Sequence, residues 1–244
     1  MTRRVDRGLA VETRGLTMRF GGVTALNNVD FILRARELRC IIGPNGAGKS
    51  TFFKCLSGQL RPSAGRIYIG GEETQGRPPH AIARLGVGIK TQVPSVMNGL
   101  SVHENLWLAA RRGHGGRRAA HIVDNILGRL DLGAESKATV DTLAHGRRQL
   151  VELGIVLAGD PWLILLDEPA AGLTADEIDR MIDILRDINR EAALIIVEHD
   201  MHFVRRIAER VTVFHQGDVL IDADVDAVMS DQAVRDVYLG RDAA

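Results

Sequence analysis

Gly43-Pro44-Asn45-Gly46-Ala47-Gly48-Lys49-Ser50 decides how this chain is read. It fits the pattern G-x-x-x-x-G-K-[ST]. The apolar run Leu38-Arg39-Cys40-Ile41-Ile42 precedes it and reads as a short buried strand, and a helix is expected to open at about Lys49. Strand, glycine-rich loop and helix in that order build a phosphate site. Glycines let the backbone curl so that successive N–H groups face phosphate oxygens. The helix N-terminus adds partial positive charge and unpaired donors. Lys49 supplies a full charge for β- and γ-phosphates, and Ser50 offers its hydroxyl to Mg2+, a hard cation that prefers oxygen. The plainer alternative, a glycine-rich turn with a surface lysine, has no need of a strand before it and a helix after it.

Upstream, Val29, Phe31 and Leu33 alternate with polar neighbours, the period-two mark of a strand. Ser63, Gly65, Gly70 and Gly71 punctuate a further β-region around Ile67-Tyr68-Ile69. The stretch from about Val93 to Leu150 reads as helical and locally irregular. Within it, Arg111-Arg112-Gly113-His114-Gly115-Gly116-Arg117-Arg118 reads as a solvated basic loop, with contact to a partner or to anionic lipid head groups as the other reading. The last third alternates strands and helices. Leu163–Leu166 and Ala193–Val197 are continuous apolar strands. Between them, Thr174 and Glu177 form a capping-box pattern, and Ile178, Met181, Ile182, Leu185 and Ile188 mark one helix face. Val211–Phe214, His215-Gln216-Gly217-Asp218 and Val219–Ile221 predict a hairpin. Such alternation implies a mostly parallel sheet covered on both faces.

Composition narrows the class. The 244 residues carry 31 Lys+Arg against 31 Asp+Glu, so bulk positive charge does not drive nucleic-acid binding. Hydrophobic residues at 45% and charged residues at 25% fit an ordinary globular chain, large enough for a full core. Two cysteines, Cys40 and Cys55, cannot build a disulfide framework or a cysteine-rich metal site and read as small buried hydrophobes. No apolar run reaches the ~18 residues of a membrane span. The charged start Met1–Arg7 shows no signal peptide, so a cytoplasmic location is expected.

Asp167-Glu168 follows directly on the apolar strand Leu163–Leu166. Alone, such a pair is usually a loop start or a helix cap. Beside a phosphate loop it suggests a magnesium contact from Asp167, and from Glu168 a carboxylate that polarises the water attacking the γ-phosphate.

Together these motifs resemble the nucleotide-binding subunit of an ATP-binding cassette (ABC) transporter, over roughly residues 12 to 242. Leu143-Ala144-His145-Gly146-Arg147-Arg148-Gln149 lies where that family places its signature. Asp167-Glu168-Pro169 follows about twenty residues later, Ala171-Gly172-Leu173-Thr174 occupies the place of the D-loop, and His199 ends the next strand. Gln92 stands where the family carries its Q-loop glutamine, and Phe20, in Arg19-Phe20-Gly21-Gly22, matches the aromatic that stacks on adenine. Taken singly, Gln92 is a loop residue, His199 a capping or surface histidine and Phe20 a packed aromatic; their shared order is the specific signal.

The resemblance implies an α/β fold with a P-loop NTPase (RecA-like) core, an antiparallel β-subdomain and a helical subdomain. Core and β-subdomain would span 1–92 and 151–244, with the helical subdomain at 93–150. It implies ATP and Mg2+ as cofactors. Gly43, Pro44, Asn45, Gly46, Ala47, Gly48, Lys49, Ser50 and Thr51 would hold ATP with Phe20. Ser50, Gln92 and Asp167 would hold the metal, and Glu168, His199, Gln92 and Lys49 would act in hydrolysis. Leu143, Ala144, His145, Gly146 and Arg147 would serve a second ATPase subunit in trans, in a homo- or heterodimer. The helical lobe would dock on membrane permease subunits at the cytoplasmic face of the inner membrane. A periplasmic or extracellular solute-binding protein would take part indirectly, and no nucleic acid would.

Arg19–Gly22 and Val237-Tyr238-Leu239-Gly240-Arg241 are similar to the branched-chain amino-acid and amide importer ATPases. Glu37–Gly43, the Ala144-His145-Gly146 core of the signature, and Val197–Met201 followed by Phe203-Val204-Arg205 are closer to the urea-type subunit. The expected activity is therefore ATP hydrolysis energising import of a small polar solute, with urea favoured. The alternatives are a weakly hydrolysing regulatory subunit, a branched-chain amino-acid importer and a lipopolysaccharide-type exporter. A soluble ABC ATPase acting on DNA or ribosomes would show two cassettes, coiled-coil insertions or zinc modules, which are absent from this sequence. The chain departs from the family pattern at Ala144, where serine is usual, at Arg147, where glutamine is common, and at Thr91, where an aromatic commonly precedes the glutamine. Loss of the serine hydroxyl removes one hydrogen bond to a charged group, about 1.5–3 kcal/mol.

Overall fold

Residues 8–239 are described in a computed structural model. The charged start and the Gly240-Arg241 end of the C-terminal motif lie outside the described residues. In chain order the elements are β1 (Leu9–Phe20), β2 (Val23–Arg34), β3 (Leu38–Ile42), α1 (Lys49–Leu56), β4 (Ala64–Ile69), β5 (Glu72–Glu73), α2 (Pro79–Arg84), β6 (Val87–Lys90), α3 (Val102–Arg111) and α4 (Gly116–Arg129). A 3-10 turn at Val140–Thr142 leads to α5 (His145–Leu157), β7 (Leu163–Asp167), α6 (Ala175–Asn189), β8 (Ala193–Val197), α7 (Met201–Ile207), β9 (Arg210–His215), β10 (Asp218–Asp224), α8 (Val225–Ser230) and α9 (Gln232–Leu239).

The strands form two sheets. One has the order β2-β1-β4-β5 and is antiparallel throughout. The other has the order β10-β9-β3-β8-β7-β6 and is parallel except for the β9–β10 hairpin. The apolar runs in β3, β7 and β8 are continuous because both faces of this sheet are covered. Alternate side chains feed two cores. Cys40, Ile42, Ile164, Leu166, Leu194 and Ile196 face the helices. Ile41, Leu163, Leu165, Ile195 and Val197 face α1 and the antiparallel sheet. There Phe52 of α1 meets Phe31 and Phe214, each at 5.2 Å between ring centroids. Cys40 and Cys55 are free and buried in these cores.

The Thr174–Glu177 capping box forms and starts α6, which buries Met181, Ile182, Leu185 and Ile188. Full burial of such a side chain is worth about 1.5–3 kcal/mol. A second capping box, Ser101 with Glu104, starts α3. Helices α3 and α4 seat on α5 around Gly154, where an added Cβ would stand 2.7 Å from Leu106 and 3.1 Å from Ile126. Since α5 runs without a break from 145 to 157, the expected division at residue 150 falls inside it. The basic segment, expected as a loop, is a turn only at 112–115; Arg111 ends α3 and Gly116-Arg117-Arg118 open α4, with Arg111, Arg112, Arg117 and Arg118 exposed. Among the described residues, no helix is long and apolar enough to cross a membrane.

Candidate functional site

The phosphate loop, Glu168 and His199 all leave from the carboxyl ends of neighbouring parallel strands, β3, β7 and β8. In open α/β sheets that edge is where ligands bind. The loop itself is shaped by two glycines. At Gly43 (φ +148°) a Cβ would stand 2.2 Å from the Phe214 carbonyl oxygen. At Gly48 (φ +108°), the N-cap of α1, it would stand 2.6 Å from the Ala25 carbonyl oxygen. The loop therefore lies flush against β9 and the start of β2. Gly217, in the β9–β10 turn, donates its N–H to the Ala47 carbonyl at 3.0 Å. Phe20 faces Val23 across the β1–β2 turn, close in sequence to Ala25, and its ring is about half exposed.

Lys49 is buried, and its ammonium donates to the carbonyls of Gly43 (2.6 Å) and Pro44 (2.9 Å). Burial lowers its pKa, against the opposing charges of Glu168 and Asp167. Ser50 is exposed on the first turn of α1, beside partly buried Thr51. Asp167 ends β7 with its Oδ1 buried and without a hydrogen-bond partner. Its pKa is pushed up to about 6, first by burial and then by Glu168, against Lys90, Lys54 and Lys49. The buried, unpartnered oxygen of Asp167 is a donor of the kind a hard divalent cation such as Mg2+ takes.

Glu168 sits in the left-handed region, φ +49°. For a non-glycine residue that conformation costs on the order of 1–3 kcal/mol. Its N–H donates to the Val197 carbonyl (2.9 Å), and its carbonyl accepts from Ala171 (3.3 Å). Its Oε1 stands 3.4 Å from His199 Nδ1. The structure thus brings together two side chains 31 positions apart in sequence. Gln92 is exposed and lines, with Lys90, His145, Gln149, Glu152 and Glu168, a cavity of about 500 Å3. A larger cavity, about 990 Å3, opens at the other end of β3 around Arg39, and its lining includes no residue of the phosphate loop or the signature and none of Gln92, Asp167, Glu168 and His199.

The signature begins α5. Ala144 is the N-cap, exposed and without a side-chain cap, and His145 is the first helical residue. Buried Gly146 fits against the capping carboxylate of Glu177, whose Oε1 would be 2.2 Å from an added Cβ. Arg147 turns back into its own lobe, donating to the Asp131 carbonyl and pairing with Glu135 at 2.6 Å. That pairing holds the Glu135 carboxyl below its usual range. The helix start is therefore regular despite the arginine.

Three features were not evident from the sequence. Glu198, 1% exposed, accepts the N–H groups of Ala170 (3.0 Å) and His199 (3.1 Å). Burial raises its pKa while those bonds lower it. It ties the segment after Glu168 to the end of β8. Its sequence signal is an acid between an apolar strand and His199. His145 Nε2 lies 3.0 Å from the Ala171 carbonyl, which links signature and D-loop segment within one chain. Lys90 and Glu152 form a buried ion pair at 3.2 Å.

The sequence profile of the ABC transporter family matches residues 26–171. The chain belongs to that family. Over nearly its whole length this ABC cassette is similar to "High-affinity branched-chain amino acid transport ATP-binding protein BraF" of Pseudomonas aeruginosa, with 33% identity over 94% of this chain and 97% of that one. LivG of Salmonella typhimurium, described in the same words, is 34% identical over 93% and 96%. "Ribose import ATP-binding protein RbsA 3" of Rubrobacter xylanophilus is 35% identical over 95% of this chain, which spans 48% of that protein. Among solved structures, cbiO1 of Clostridium perfringens, part of an ABC transporter complex, superposes with a TM-score of 0.85 at 26% identity, over 96% of each chain. An ABC transporter cassette in its ADP conformation gives 0.86 at 24% identity, over 96% and 99%, and shows the shared fold. The cassette is an ABC ATPase with the expected α/β architecture.

Proposed function

We propose that this cassette hydrolyses ATP to energise import of a small polar solute through a membrane permease, and that the solute is urea. The observation that carries the catalytic half is the convergence of Lys49, Asp167, Glu168 and His199 at one sheet edge, with Glu168 and His199 in contact. In this reading the backbone N–H groups of 43–51 and Lys49 bind the phosphates, and Phe20 stacks on adenine. Ser50, Asp167 and Gln92 hold Mg2+, which neutralises charge on the phosphates when bound. Glu168 orients water and accepts its proton, while His199 fixes the Glu168 carboxylate and reaches the γ-phosphate. Leu143–Arg147 completes the site of a second ATPase subunit. A solute-binding protein delivers the solute to the permease, which holds the cassette at the cytoplasmic face of the membrane.

Urea rests on the stretches 37–43, 144–146 and 197–205. A second reading, branched-chain amino acids, is favoured by the relatives BraF and LivG. The test is uptake of labelled urea and labelled leucine in the native cell, wild type against chromosomal Glu168→Gln, with urea scarce. Loss of urea uptake alone supports the first reading. Loss of leucine uptake alone supports the second. Purified Glu168→Gln that hydrolyses ATP like wild type would overturn the catalytic assignment of Glu168, and a wild type with little turnover of its own would favour a regulatory subunit.

A further inference from the structure

The helical lobe leaves the core just after β6 and returns along α5. Lys90 is the last residue of β6, two positions before Gln92, and Glu152 lies two turns into α5 from His145. Their side chains meet at 3.2 Å with 5% and 6% exposure. The pair therefore joins the two crossing points of the lobe. Packing is close on either side of it. At Gly88 on β6, an added Cβ would stand 2.6 Å from Val156 on α5. At Gly154, α5 receives Leu106 of α3 and Ile126 of α4. In the sheet, Lys90 is paired with Leu166, the residue before Asp167. Lys90 and Glu152 also line the same cavity as Gln92, His145 and Glu168.

Burying two charges is seldom the most stabilising use of a core position. An apolar pair of similar volume is often as stable or more so, while one charge left alone is costly. An apolar contact is also non-directional and tolerates sliding of a helix along a strand; a buried ion pair, whose separation leaves each charge uncompensated, does not.

We propose that Lys90 and Glu152 form a positioning pair that makes the Gln92 strand and the signature helix move as one body, so that nucleotide bound at one subunit's loop sets the position of that subunit's own signature. The proposal deepens the functional reading and rests on it for the role of the signature. Neither residue touches nucleotide; both act through Gln92 and α5.

The test uses the full chain with MgATP and follows amide hydrogen exchange of residues 43–51, 88–95 and 145–152. In wild type, ATP protects all three segments. In Lys90→Met with Glu152→Leu, ATP still protects 43–51, while the protection of 145–152 falls by about tenfold. Turnover follows the same split, with KM for ATP within about twofold and kcat down about tenfold. Lys90→Arg, which keeps the cation, restores both. Should the double variant fail to fold, Lys90→Gln with Glu152→Gln, which also leaves neither charge alone, takes its place with the same expectation. Wild-type protection of 145–152 without the charge pair would overturn the proposal, as would Lys90→Arg behaving like the double variant. Glu168→Gln that still turns over ATP would instead overturn the catalytic reading, and the exchange result would still decide the role of the pair.

Discussion

Replacing Asp167 with asparagine should make the protein more stable and less active, and the gain should depend on pH. The Asp167 carboxyl has its pKa raised from 3.8 to about 6, chiefly by burial. Between those values the folded chain holds a proton that the unfolded chain releases. Stability from this group is therefore greatest below pH 3.8 and falls as pH rises, and the full cost is present above about pH 6. That cost is about 3 kcal/mol. The asparagine amide is neutral at every pH and avoids it. For a chain of this size each kcal/mol moves Tm by about 2–4 °C, so Asp167→Asn should gain about 6–12 °C at pH 7.5. At pH 4.5 the gain should shrink to about 1 kcal/mol. The assay is thermal unfolding of the nucleotide-free protein in EDTA at both pH values, with ATP turnover measured in parallel. Turnover should collapse, because the amide is a poorer ligand than carboxylate for a hard cation. An asparagine variant no more stable at pH 7.5, or one with an equal gain at both pH values, would refute a desolvated charge as the cause.

Phe20→Ala should weaken ATP binding by the worth of one aromatic stack, about 1–3 kcal/mol, with kcat little changed; titration with ATP reads this directly. Under the proposed trans role of the signature, Ala144→Ser should raise ATPase turnover, since it restores the hydroxyl usual at that position. It should also stabilise the chain by about 1 kcal/mol, because residue 144 is the uncapped N-cap of α5; unchanged turnover would count against a role for residue 144 in the second subunit's site. Gly154→Ala should cost about 1–3 kcal/mol in urea unfolding, since the new methyl would press on Leu106 and Ile126, while the affinity of the 43–51 loop for ATP holds.

Most of the candidate nucleotide site is legible in the sequence because its parts are local. A phosphate loop needs only the residues 43–50 and a helix behind them. A capping box is closed by Thr174 and Glu177, three positions apart, and the apolar runs of β3, β7 and β8 state their own burial. Order along the chain then places Gln92, Asp167, Glu168 and His199. The second capping box at Ser101–Glu104 was equally local and was hidden by the irregular surroundings of the lobe.

What only the tertiary structure decided are the pairings between distant segments. Arg147 finds Glu135 and the Asp131 carbonyl within its own lobe, so it leaves the helix start undisturbed. Glu198 finds Ala170, His145 finds Ala171, and Lys90 finds Glu152. The raised pKa of Asp167 is of the same kind, since desolvation depends on what the whole sheet edge brings around one carboxylate. The motif residues are specified by their chemistry together with their order along the chain. Their charge states, couplings and relative positions arise from burial and from Coulomb interactions across the fold, which no short stretch of sequence contains.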